Sequence, residues 1–131
     1  MLARQSSILV TVALLVGRAP DKPVDYEYAT QRGLESLHVN GSDLSLPHPM
    51  TFYLDYADEP GARAMGERLR EEDYVIEYLS ADEDVASHTC SATTTLVPSF
   101  EVVRGMDSLF QALAESEGGT YGGWYAPVVR D

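Results

Sequence analysis

Cysteine occurs once in these 131 residues, at Cys90, and lysine once, at Lys22. A single thiol excludes an intramolecular disulfide framework and a four-thiolate zinc site, and it suits a reducing compartment. Basic residues are also few: nine against 21 acidic ones leave a net charge of −12 and an isoelectric point near 4.4. Such a surface repels nucleic acid and anionic membrane, so direct nucleic-acid binding has no electrostatic footing. What it suits is a basic protein partner. No apolar run reaches the roughly 20 residues that a bilayer-spanning helix needs. The most apolar stretch, Ile8-Leu9-Val10-Thr11-Val12-Ala13-Leu14-Leu15-Val16, has instead the length of a signal-peptide core. The residues after it, Gly17-Arg18-Ala19-Pro20, offer no small-x-small cleavage site and carry a charge. Residues 1–20 therefore read as an upstream extension or a segment packing on the domain. The alternative is export or membrane anchoring through residues 8–16; the expected location is the cytoplasm.

What is present suffices for one domain, with apolar residues at 44%. Residues 21–49 read as an N-terminal helix and a linker. Asp21 or Asp25 caps a helix running to Val39, with Tyr26, Ala29, Gly33, Leu34 and Leu37 near one face. Asn40-Gly41 is the left-handed stop that ends it. Asn40-Gly41-Ser42 also spells a glycosylation acceptor, but the turn reading accounts for it. Pro47 and Pro49 keep residues 44–49 extended.

Residues 50–131 read as the main domain. In residues 50–56, Phe52, Leu54 and Tyr56 share one face of a strand, and Thr51, Tyr53 and Asp55 the other. Asp58 caps a helix to about Glu72 that buries Ala62, Met65 and Leu69, with Pro60 in its first turn. A second strand covers residues 74–79, and Asp82-Glu83-Asp84 turns into a threonine-rich third strand over 86–96. Ser99 caps the last helix, whose expected apolar stripe is Val102, Val103, Met106, Leu109, Phe110 and Leu113. Gly118-Gly119 stops it, and residues 121–129 form a fourth strand holding the sole tryptophan, Trp124. The order β-α-β-β-α-β predicts an α+β, ferredoxin-like sandwich: a four-stranded antiparallel sheet with two helices on one face, behind an N-terminal helix. Its first and third strands are central, and the last, which contains Pro127, is an edge.

Residues able to carry chemistry are sparse. His88 and Cys90, two apart on a strand, share a face, yet no nucleophile motif surrounds them. His38 and His48 have no ligand spacing to His88, so neither a metal nor any other cofactor is expected. The acidic clusters lack the glycine and glutamate of a calcium loop. Gly118-Gly119-Thr120-Tyr121-Gly122-Gly123 lacks the lysine of a phosphate loop and leads into a strand, not a helix N-terminus. The acidic residues Asp55, Asp58, Glu71, Glu72, Asp82, Glu83 and Asp84 are the candidate docking surface for a basic segment.

Three stretches resemble one known family. They are Leu37-His38-Val39-Asn40-Gly41-Ser42-Asp43, the helix-to-strand passage over residues 62–76, and the C-terminal residues 113–124 ending Tyr121-Gly122-Gly123-Trp124. Together they resemble the regulator of ribonuclease E activity B (RraB-like) family over about residues 30–128. The family's C-terminal signature is a Tyr-Asp-Gly-Trp-Gly strand. Tyr121, Gly123 and Trp124 match it here, whereas Gly122 stands for the aspartate and Tyr125 for the last glycine. The resemblance implies a small acidic bacterial protein of ferredoxin-like fold that is not an enzyme and binds and restrains an RNA-degrading endonuclease. A second expectation, from a different class, is a small-molecule-binding or dimerising module that uses Tyr53, Tyr78, Tyr121 and Tyr125 as exposed aromatics on an open sheet face.

Overall fold

The computed structural model describes residues 5–6, 25–80 and 88–130. Chain order is β1 (Gln5–Ser6), α1 (Tyr26–Val39), β2 (His48–Tyr56), α2 (Glu59–Arg70), β3 (Val75–Ser80), β4 (His88–Leu96), α3 (Phe100–Ser116), β5 (Thr120–Tyr125) and β6 (Val128–Val129). Strands β2 to β5 form one antiparallel sheet in the order β3-β4-β2-β5. With helices packed on that sheet, this is the ferredoxin-like arrangement, with β2 and β4 central as the sequence predicts. β1 and β6 pair separately in a two-stranded ladder. Asp82, Glu83 and Asp84 lie outside the described residues, as does most of the 1–20 segment.

Local chemistry accounts for the element boundaries. Each α-helix begins at a side chain that accepts a backbone N–H of its first turn: Asp25 from Tyr28, Asp58 from Gly61 and Ser99 from Val102. α1 stops at Asn40, and Gly41 follows at φ +94°, in the left-handed region that suits glycine. β2 starts earlier than expected, taking in His48 and Pro49. Proline is tolerated there because β5 pairs with β2 only from Thr51 onward, so nothing on that side needs a donor from Pro49. The final strand is broken where a continuous one was expected: Ala126 and Pro127 separate β5 from β6, and the chain leaves one sheet for the other.

β2 alternates buried and half-buried along its whole length, so one sheet face is covered by helices and, among the described residues, the other is open. Under the helices, Phe52 stacks on Phe110 with ring centroids 4.7 Å apart, Tyr74 meets Phe110 edge-on at 5.6 Å, and Tyr121 lies 6.2 Å beyond. The buried face of α3 is rotated from the expected stripe. Val103, Asp107, Phe110 and Ala114 are inside, while Val102 and Leu109 are 45% and 47% exposed. Phe110 is wholly buried at the centre of this aromatic cluster. Phe110→Ala is expected to cost about 3–5 kcal/mol, read as a lower urea midpoint at unchanged m-value.

Candidate functional site

The signature residues do not form an open site. Tyr121 and Trp124 are 1% and 2% exposed and face the helices. The Trp124 indole N–H donates to Thr30 Oγ1 at 3.0 Å, and the Thr30 hydroxyl in turn donates to Asp107 Oδ2. The Tyr121 hydroxyl donates to Asp107 Oδ1 at 2.6 Å, and the Tyr26 hydroxyl donates to the Tyr121 carbonyl at 2.6 Å. The network ties α1, α3 and β5 together around one buried carboxyl. Burial pushes the Asp107 carboxyl above its ordinary value, partly offset by the hydrogen bonds from Thr30 and Tyr121. Burial, with Asp107 nearby, also pushes Tyr26 up to about 12. Gly123 adopts φ +96° between these two aromatics, which explains a glycine at that position. Gly122 turns to the open face, where a Cβ would come within 3.2 Å of Asp55 Oδ2. An aspartate there would crowd a second carboxylate against Asp55.

A second buried polar group joins the loop after α1 to the C-terminus. Ser42 Oγ lies 2.5 Å from His48 Nε2, and the Val129 N–H donates to the same hydroxyl at 3.0 Å. His48 Nδ1 contacts the Leu46 carbonyl at 2.8 Å. A serine beside a histidine resembles a nucleophile with its base. His48, however, is fully buried and Ser42 is 5% exposed, and both are occupied in holding the chain. Cys90 is likewise buried, and burial pushes its thiol up to about 11, away from a reactive thiolate. Neither Thr30, Asp107 nor the Ser42–His48 pair was marked by any motif. The one available signal was an aspartate interrupting the apolar stripe of α3.

The structure distributes the acidic candidates over several places. Asp55 lies on the open sheet face, half-buried, and accepts from the Thr89 hydroxyl at 2.5 Å. Asp58 is occupied as the cap of α2, accepting from Gly61 N–H at 2.8 Å. Glu71 and Glu72 follow the other end of α2, about 18 Å away for a helix of this length. These four are therefore spread over the sheet and both ends of α2. The four tyrosines do not share one face either. Tyr53 and Tyr125 are on the open face, but Tyr121 is buried in the core. Tyr78 is turned toward α2, its ring 4.6 Å beneath the Arg63 guanidinium.

Glu71 and Glu72 border the more distinctive surface feature. Between α2 and α3 runs a groove of about 290 Å³ with Leu69, Tyr74, Leu109 and Leu113 in its wall. Arg68, also in the wall, is held by Glu117 at 3.1 Å across the two helices. Among the described residues neither Glu71 nor Glu72 joins an ion pair. A helix C-terminus already carries partial negative charge, so acidic residues there oppose the helix dipole. The local field thus favours a cation, beside an apolar wall that includes the half-exposed Leu109.

Among the described residues no helix is long and apolar enough to cross a membrane. The family model for RraB, regulator of ribonuclease activity B, matches residues 17–125. None of the curated proteins matches the chain.

Two outcomes test the buried network. Trp124→Ala is expected to lower stability by about 3–5 kcal/mol in urea unfolding; a variant of unchanged stability would remove the structural role. Because the folded state raises the Asp107 pKa above 3.8, it binds the proton more tightly than the unfolded chain does. Stability contributed by this group therefore falls as pH rises from 3.8 through the raised value, then levels off. Asp107→Asn is expected to flatten that fall in urea midpoints taken across the acid range, and an unaltered profile would clear Asp107 of the effect.

Proposed function

The chain belongs to the RraB family, regulator of ribonuclease activity B, and from that membership we propose that it works without catalysis, by binding a protein partner. The partner offers a basic segment and is an RNA-degrading endonuclease of the cytoplasm. The observation that carries this reading is the α2–α3 groove, where Glu71 and Glu72 stand beside an apolar wall in which Leu109 is exposed. A cationic segment laid there gains charge complementarity at the rim and burial of Leu109 in the wall. Segments that bind RNA are themselves basic, so an acidic protein occupying one competes with RNA for the same charges. The net charge of −12 steers such a partner and fits a contact that weakens with salt. A lone cysteine, buried and with its thiol held up, agrees with a binding role in a reducing compartment.

The test is affinity purification with the intact chain, comparing it with a Glu71→Lys, Glu72→Lys double variant. Ribonuclease subunits are expected to be retained at low salt and lost at high salt, and the double variant is expected to bind about tenfold more weakly. Retention that ignores both salt and the charge reversals would refute docking at this groove.

A further inference from the structure

The two edges of the main sheet are built differently. At β5 the register with β2 shifts at Tyr53/Leu54, two glycines follow one another, and Pro127 lies just beyond the end of the strand. Bulges, glycines and proline are the ordinary means of making an edge unfit for pairing. β3 has none of them. Its six residues keep an unbroken register with β4, and among the described residues it pairs on that side alone. Val75 and Leu79, 72% and 44% exposed, project on the open face with Glu77 between them. A regular strand with exposed apolar side chains, guarded only by the charge of Glu77, is a template for a strand that neutralises that charge.

Charge says what kind of strand. No residue of β2, β3, β4 or β5 is lysine or arginine. Five arginines on the helices are each ion-paired with a glutamate. Glu77 has no such partner among the described residues, and the other carboxylate of the open face is Asp55. A second copy is a poor occupant. The two-fold antiparallel register that matches Val75 with Leu79 sets Glu77 against Glu77, a destabilising pair, between chains of net charge −12.

We propose that the free edge of β3 takes up an extended, cationic segment of a protein partner as an added strand of the four-stranded sheet. Main-chain hydrogen bonds supply the pairing. Specificity comes from alternate side chains: apolar ones beside Val75 and Leu79, and a lysine or arginine opposite Glu77. This surface is separate from the α2–α3 groove, and the proposal stands whether or not that groove binds anything.

The test uses the full chain at physiological salt and a fluorescent synthetic peptide in which valine and lysine alternate along one face and threonine fills the other. A peptide of the same composition in shuffled order is the control for simple charge attraction. The ordered peptide is expected to bind about tenfold more tightly than the shuffled one, with new hydrogen-exchange protection in β3. Glu77→Lys, at an exposed position, is expected to remove that advantage while leaving the circular dichroism spectrum unchanged, whereas the Glu71→Lys, Glu72→Lys variant keeps it. Equal affinity for both peptides, or an advantage untouched by Glu77→Lys, would overturn the proposal. So would a dimer in light scattering that Val75→Lys dissolves, since it would assign this edge to a second copy.

Discussion

The buried carboxyl of Asp107 is the constraint to which the other elements of this protein are fitted. A carboxyl removed from water is costly unless hydrogen-bonded, and here its donors come from two other elements: Thr30 on α1 and Tyr121 on β5. Satisfying it fixes where α1 lies against α3, and where β5 runs beside β2. Trp124 closes the arrangement by donating to the same threonine hydroxyl. α1 would otherwise be an appended helix; this network makes it part of the core.

The same arrangement decides what is left accessible. With Tyr121 and Trp124 turned inward, the glycine-rich C-terminal strand offers no pocket and no anion cradle. The helices cover one face of the sheet and leave the other bare, and their own packing opens the groove beside Leu109. Charges follow this division. The helix arginines are neutralised by nearby glutamates. Among the carboxylates without an ion pair are Glu71 and Glu72 at the end of α2 and Glu77 and Asp55 on the open sheet face. Each of these two surfaces sets acidic side chains beside exposed apolar ones, Leu109 in the groove and Val75 and Leu79 on the sheet.

The described members of the expected acidic surface are spread out for a geometric reason. Asp58 caps the N-terminus of α2, and the length of that helix separates it from Glu71 and Glu72. The expected stripe of α3 holds at Val103, Met106, Phe110 and Leu113 and misses at Val102 and Leu109 for a chemical reason. Counting apolar residues placed Val102 and Leu109 inside and left Asp107 out, because periodicity treats every carboxylate as solvated. A buried aspartate with two hydroxyl donors reverses that assignment.

The sequence alone determined the alternation of β2, the caps at Asp58 and Ser99, the stop at Asn40-Gly41, the order of the main-sheet strands and the helices, and the excess of negative charge. Each is legible because it rests on neighbours within about one helical turn or on the alternation along a strand, or on simple counting. Tertiary structure alone decided the meeting of Thr30 with Asp107 and Trp124, 77 and 94 residues away, and the contacts of Ser42 with His48 and Val129. It also decided which acidic residues border an apolar groove and which edge of the sheet stays open among the described residues. Those outcomes depend on which groups meet once the chain has closed, and neither spacing nor composition encodes such a meeting.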